Sequence, residues 1–240
     1  MKKIVWLFAF ALIFSSCSST QLNKAINDVV GAVTDKPVTE QEIGMGLKEA
    51  LTKGIVNGVN LTSKKDGYFK NASIKIPFPK EADKIANTLR DIGLGKEVDK
   101  VVLSLNRAAE DAATAAKPIF VSAIKKLTFK DAMKILKGGG NEATEFLKRT
   151  TSSQLRTAFQ PKISTSLKKV NATKNWGDIV NRYNKIPLVK KQNPDLEGYV
   201  TDQALKGLFT MVAKEESKIR ENPVARTTDL LKRVFGLLDQ

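Results

Sequence analysis

The chain has 240 residues, of which 40 are basic and 25 acidic, so its formal net charge is +15. Apolar residues make up 42% of the chain, which is enough to build a core and argues against disorder. The absence of histidine and the presence of one cysteine exclude histidine triads, cysteine–histidine pairs, proximal-histidine haem and the usual zinc sites. Carboxylate acid–base chemistry, oxygen-ligated cations and serine–lysine nucleophiles remain open, and no cofactor is predicted.

Residues 1–16 have the pattern of a bacterial export signal. Two lysines precede eleven apolar residues at 4–14, and two serines then lead to Cys17. The apolar run is shorter than the roughly 20 residues that a membrane-spanning helix needs, so we predict cleavage. The pattern resembles the lipobox of bacterial lipoproteins, in which the cysteine is acylated and becomes the N-terminus. The alternative is an ordinary secretory signal followed by an unmodified cysteine.

Cleavage before Cys17 would leave a lipidated tether at 17–38 and one helical domain at 39–240, with a net charge of +13. Burying acyl chains contributes about 0.8 kcal/mol per methylene, so two or more chains anchor a protein stably. Ser18 follows the cysteine, in place of the aspartate that marks inner-membrane retention in some bacteria. By this analogy we expect the outer membrane of a Gram-negative bacterium, on its periplasmic face.

Helical periodicity dominates the domain. Thr39 and Glu42 have the spacing of a capping box, and apolar residues then recur every four positions from Ile43. Four glycines in this first helix predict close contact with a neighbouring element. Helix starts are also predicted at Thr128 with Asp131, and at Thr227 or Thr228.

One stretch reads as extended. Residues 68–79 alternate apolar and polar side chains, but Pro77 and Pro79 remove two backbone donors. No second strand-like run offers a partner. We therefore predict an arm lying over helices and an all-α, single-domain bundle of eight to ten helices.

The longest periodic segment, 96–127, is the predicted central helix, with a break or kink at Pro118. Three glycines at 138–140 lack the lysine and hydroxyl of a phosphate loop, so they predict a helix end and hinge. Asn141 is the predicted cap of a short helix after them. Pro161 is expected to interrupt the next amphipathic face.

Nearly the whole charge excess lies in residues 118–193, which hold 16 basic and 4 acidic residues, a net charge of +12. Such concentration favours an anionic partner: a lipid headgroup, a glycan or an envelope protein. A solvated surface without a partner is the alternative. Nucleic acid is not expected, because export removes the usual targets and no binding fold is recognisable. The candidate contact surface comprises Lys148, Arg149, Arg156, Lys162, Lys168 and Lys169.

A second candidate is a polar cluster of Arg107, Glu110 and Asp111, at spacings of three and four, together with Arg226. Paired carboxylates beside an arginine would suit a hydrolase or lyase, but the same pattern is typical of an ion pair that orders a helix seam. A carrier of a small apolar ligand between helices is a third possibility. We expect a binding protein rather than an enzyme; the oligomeric state is not predicted.

Six sequence blocks together resemble a family of uncharacterised, mostly helical bacterial envelope lipoproteins. The blocks are GLKEAL at 46–51, DGYFKN at 66–71, IPFP at 76–79, LNRAAEDAA at 105–113, AKPIFVSAI at 116–124 and ARTTDLLKRVFG at 225–236. The resemblance implies helical architecture and a Gram-negative envelope location. It supplies no catalytic residues and does not choose between binding and catalysis.

Overall fold

A computed structural model describes residues 37–79, 82–91, 93, 95–185, 187–188 and 191–239, of which Thr39 onward forms one unit. Within these ranges it contains α-helices, one 3-10 turn and no strand, which confirms the all-α prediction. The export signal and Cys17 lie outside the described residues. The helices are α1 (Glu40–Ser63), α2 (Asp83–Asp91), α3 (Gly95–Ala113), α4 (Ala116–Lys125), α5 (Phe129–Lys137), α6 (Glu142–Lys169), α7 (Ala172–Tyr183), α8 (Leu196–Glu221) and α9 (Asp229–Gly236).

Side-chain caps start three of these helices as predicted. The Thr39 hydroxyl accepts from the Glu42 amide at 3.2 Å, and the Glu42 carboxylate accepts from the Thr39 amide at 2.9 Å. Thr128 and Asp131 make the same exchange at 3.2 and 3.1 Å, and Thr228 caps α9. Hydrogen bonds donated by the amide and hydroxyl of Thr39 stabilise the ionised form of Glu42 and lower its pKa, and those donated by the hydroxyl and amide of Thr128 lower the pKa of Asp131. Local sequence therefore sets these boundaries.

The core lies where α8 packs along α1 and α6, and where α3 packs along α6. The predicted close contacts of α1 are confirmed at three of its four glycines. A Cβ on Gly54 would lie 3.5 Å from the Glu215 side chain of α8. A Cβ on Gly58 would lie 3.6 Å from the backbone nitrogen of Val212 in α8, and one on Gly46 would collide with Val234 of α9. Gly44, in contrast, has no neighbour within 4 Å of that position. Because glycine has no side chain, α8 and α9 can approach α1 closely at the other three positions.

The predicted central helix breaks earlier than expected. α3 ends at Ala113 and α4 begins at Ala116, so the break precedes Pro118 instead of falling on it. The proline ring has no N–H and would clash with the carbonyl four residues earlier, which belongs to Thr114. The disruption therefore appears one turn before the proline, and Pro118 lies in the first turn of α4.

Two predictions about α6 are wrong. Asn141 makes no capping hydrogen bond, and the helix that follows is 28 residues long instead of short. α6 also continues through Pro161, whose ring is exposed. The carbonyl that loses its partner belongs to Thr157, an exposed residue, so water can satisfy it without a break in the helix.

The cap that Asn141 does not supply comes from α8. The Glu216 carboxylate accepts from the amides of Ala143 at 3.0 Å and Thr144 at 2.8 Å, the first turn of α6. Arg220 donates to Glu216 at 3.0 Å and to the carbonyl of Ile135, near the end of α5, at 2.6 Å. One ion pair with little exposed surface therefore holds both helix ends that flank residues 138–140.

Residues 68–79 form no strand, as predicted, but turns at 68–70 and 72–74 fold the first part of the predicted arm, so only the part from 75 to 79 lacks turns. Instead of a neighbouring strand, the side-chain amide of Asn106 in α3 pairs with Ile76: its oxygen accepts from the Ile76 amide and its nitrogen donates to the Ile76 carbonyl, both at 2.8 Å. The Tyr68 hydroxyl donates to the Ala204 carbonyl of α8 at 2.6 Å. These bonds satisfy the buried polar groups of an arm that has no sheet.

Replacing Glu216 with alanine should lower the free energy of unfolding by about 3 to 5 kcal/mol, because Arg220 and two amides would lose a buried partner. Urea unfolding followed by circular dichroism measures this change. The matched control is Glu221→Ala on the exposed end of α8, which should change stability by less than about 0.5 kcal/mol. Equal effects of the two substitutions would contradict the capping role.

Candidate functional site

The predicted contact surface lies entirely on α6. Five of its six cations are exposed and Lys162 is half-buried, so the helix does place them at the surface. We call these residues the α6 cations: Lys148, Arg149, Arg156, Lys162, Lys168 and Lys169. The chain therefore presents basic side chains to solvent along most of a 28-residue helix.

Most of the α6 cations have an acidic neighbour. The lysine ammonium groups lie 3.6 Å from Glu145 for Lys148, 3.8 Å from Asp111 for Lys162 and 4.0 Å from Glu197 for Lys168. Arg156 pairs with Asp202 of α8. Exposed pairs of this kind contribute about 0 to 1 kcal/mol, so an incoming anion can compete for the cations.

A cleft of about 620 Å³ lies between α6 and α8, and we call it the α6–α8 cleft. Lys148, Arg156 and Glu145 line it from α6, and Lys206 and Asp202 line it from α8. Hydroxyl groups of Ser152, Ser153 and Thr210 line the same cleft, but those of Ser152 and Thr210 already donate to the carbonyls of Lys148 and Lys206. Three cations against two carboxylates in one concave surface suit the oxygen atoms of an anion. Lys206 was missed because it lies outside the basic segment along the chain.

A second cleft, of about 500 Å³, adjoins the first and shares Arg156 and Asp202 with it. We call it the Trp176 cleft; it lies among the starts of α7 and α8 and the loop before α8. Trp176 is 5% exposed, and its indole nitrogen is buried without a hydrogen-bond partner among the described residues. The apolar face of α7 predicts burial of Trp176, but its spacing gives no signal of the unpaired N–H.

The polar cluster holds the chain in place at the start of the arm. Glu110, 4% exposed, accepts from the amides of Tyr68 at 3.1 Å and Phe69 at 3.2 Å, and from Arg107 at 2.6 Å. Arg107 also donates to Asp66 at 2.6 Å. Hydrogen bonds donated by Lys70 and Arg107 lower the pKa of Asp66, and the hydrogen bonds that Arg107 donates to Glu110 and Asp66 raise the pKa of Arg107. Both Glu110 oxygens are therefore occupied by the protein itself.

The other two members of the predicted cluster have different partners. Asp111 is exposed and lies near Lys162, as described above. Arg226 is 2% exposed, donates to the carbonyls of Ile219 and Arg220 at 3.0 and 2.7 Å, and pairs with Asp239, whose pKa it lowers. Arg226 thus ties the end of α8 to the C-terminal residues and shares no bond with Arg107 or Glu110.

Other site types have little support in the described part of the chain. No group of three or more acidic, histidine or cysteine side chains there is placed to hold a metal ion. One mainly apolar cavity between α1 and α8 measures about 20 Å³, the space of roughly one water, whereas ligand pockets measure about 300 to 1,000 Å³. No described helix has both the length and the apolar character to cross a bilayer.

Replacing Glu110 with alanine should lower the free energy of unfolding by about 2 to 4 kcal/mol, since two buried amides and Arg107 would lose their acceptor. Replacing the adjacent Asp111 with alanine should change it by less than about 0.5 kcal/mol. Urea unfolding of both variants measures the difference. A stable Glu110→Ala variant would contradict the structural role and revive a catalytic one.

The sequence was compared with known protein families, curated proteins and solved structures. A family model described as "Protein of unknown function (DUF4197)" matches residues 37–236. No curated protein and no solved structure gave a match. The match supports the resemblance as far as a domain of unknown function and carries no information on a lipid anchor or the envelope. The matched range spans α1 to α9 and both clefts, and the chain belongs to the DUF4197 family.

Proposed function

We propose that this protein is a lipid-anchored binding module of the bacterial cell envelope, and that the α6–α8 cleft contacts an anionic partner. The observation that carries the proposal is the convergence of Lys148, Arg156 and Lys206 on one open cleft of about 620 Å³. Two of these cations belong to the surface that the sequence predicts. The third comes from α8, which the charge count along the chain does not include.

Binding is favoured over catalysis by the state of the carboxylates. A general acid or base must reach a substrate, but both oxygens of Glu110 already accept hydrogen bonds from the protein. The two carboxylates that line the cleft, Asp202 and Glu145, are paired with Arg156 and Lys148. The chain contains no histidine to replace them. The cleft therefore offers cations for binding, and its carboxylates are engaged in ion pairs.

A phosphate-bearing lipid headgroup is the first partner to test. An acyl group on Cys17 would hold the domain near a bilayer, and the tether of 22 residues would keep the local concentration of headgroups high. Each basic residue near an anionic surface contributes about 1 kcal/mol, weakened by salt. A glycan or an envelope protein would use the same cations but would not require the bilayer.

Replacing all six α6 cations with glutamine should weaken binding to vesicles of mixed neutral and anionic phospholipid by at least tenfold at low salt. The loss follows from removing positive charge at the surface, including two of the three cations that line the α6–α8 cleft. Vesicle co-sedimentation with the Cys17→Ser chain measures binding without the anchor. Binding should also fall as salt is added.

The control removes the same number of charges elsewhere. Six exposed lysines outside the basic segment are replaced with glutamine in one variant: Lys64, Lys65, Lys84, Lys96, Lys100 and Lys232. This variant should bind the vesicles almost as well as the chain that keeps all of these lysines. Equal losses in the two variants would show that total charge alone drives binding, and unchanged binding of the α6 variant would refute a lipid partner.

The anchor is tested separately. An alkyne fatty acid fed to cells that make the full chain should label it, and Cys17→Ser should abolish the label because the acylated thiol is gone. Ser18→Ala, at the neighbouring position, should retain it. Label on the Cys17→Ser chain, or none on the unaltered chain, would contradict lipidation at this cysteine.

A further inference from the structure

The Trp176 cleft combines two independent signs of a ligand site. It is a concavity of about 500 Å³, within the range of small-molecule pockets. Trp176 lines it with a side chain that is 95% buried, and the indole N–H has no acceptor among the described residues. A buried donor in a folded protein is normally paired. The nitrogen has less than 1 Å² of exposed surface, so a ligand oxygen would pair with it once the Trp176 ring shifts toward the cleft.

The walls of the cleft are held in place by the protein. The Phe78 ring meets Trp176 edge to face, with ring centroids 5.6 Å apart. The Asn184 side chain fixes the loop before α8: it accepts from the Gln192 amide at 2.7 Å and donates to the Gln192 carbonyl at 2.9 Å. The Tyr199 hydroxyl donates to the Pro77 carbonyl at 3.2 Å. The cleft is therefore formed before any ligand arrives.

The lining of the cleft holds two cations and two carboxylates, and one of the cations has no acidic partner in the described part of the chain. Asp195 also lines it, but its carboxylate accepts from the Gly198 amide at 2.8 Å as the cap of α8. Asp202 is paired with Arg156. Lys191 is exposed at the edge, and no carboxylate of the described residues lies within ion-pair distance of it. One cation is thus available for a negative group.

The cleft lining also offers apolar surface and further polar groups that a simple anion would not contact. Trp176, Tyr199 and Pro79 provide apolar surface, while Asn193, Asp202 and Arg156 provide acceptors and donors close together. A ligand that used all of these would have a ring with carbon-bound hydrogens, several hydroxyl groups and an anionic substituent. We infer that the Trp176 cleft binds a small anionic sugar, one that carries a carboxylate or phosphate group.

The chain provides its own reporter for this site. It contains two tryptophans, Trp6 and Trp176, so Trp6→Phe in the full chain leaves Trp176 as the only indole. This protein, in a neutral detergent, is titrated with glucose 6-phosphate, glucuronate, glucose and inorganic phosphate. At least one anionic sugar should change the fluorescence of Trp176 saturably. Glucose and inorganic phosphate should each bind at least tenfold more weakly than that sugar, because each matches only part of the cleft.

Two substitutions locate the binding. Lys191→Gln should weaken it at least tenfold, whereas Lys185→Gln, an exposed lysine outside the cleft lining, should leave it unchanged. Trp176→Phe removes the N–H and keeps an aromatic ring, and calorimetry should show a similar loss of affinity. If Trp176→Phe does not fold, the comparison of Lys191→Gln with Lys185→Gln and the four titrations still test the inference.

Three results would overturn the inference: no saturable response to either anionic sugar, equal affinity for inorganic phosphate, or an unchanged affinity in Lys191→Gln. Its failure is separate from that of the proposed function. Lys148 lines the α6–α8 cleft and not the Trp176 cleft. Lys148→Gln should therefore reduce vesicle binding and leave the sugar titration unchanged.

Discussion

The fold depends on buried glutamates that accept hydrogen bonds from backbone amides of other segments. Glu110 of α3 receives the amides at the start of the arm, and Glu216 of α8 receives the first amides of α6. Each has an arginine within one turn of its own helix, Arg107 or Arg220. A buried carboxylate is costly unless it is paired and fully hydrogen-bonded. Here the arginine supplies the charge and the amides supply the remaining donors.

The same arrangement decides which acidic residues remain for chemistry. A carboxylate that accepts from two amides and an arginine is fixed in one geometry, which suits a structural joint and leaves no position for a substrate proton. The exposed acids have another role: Asp111, Glu197 and Asp202 lie beside cations of α6. Acidic side chains therefore serve packing inside the bundle and partial neutralisation outside it, and those that line the open clefts, such as Asp195 and Asp202, are already paired or capping a helix.

The sequence predicts those features that depend on a few adjacent residues. Thr39 and Thr128 cap their helices because each hydroxyl and carboxylate are three residues apart and find each other without help from the rest of the chain. The arm is predictable because two prolines exclude it from a sheet. The prediction of an Asn141 cap is wrong because Glu216, 75 positions further along the chain, caps α6 from another helix. The prediction for Pro161 is wrong because the exposure of Thr157, whose carbonyl loses its partner, depends on tertiary packing.

The candidate sites are less predictable for a related reason. The count of +12 over residues 118–193 includes only charges that are near one another along the chain. In space, Asp111 of α3 and Glu197 and Asp202 of α8 approach the cations of that segment, and Lys206 of α8 joins them in the cleft. The excess is consequently smaller and more local than the count indicates. Recognition of an anion then depends less on the overall electrostatic field than on a few cations, hydroxyls and the unpaired Trp176 N–H that line concave surfaces. The positions of these groups are set by the packing of α6, α7 and α8.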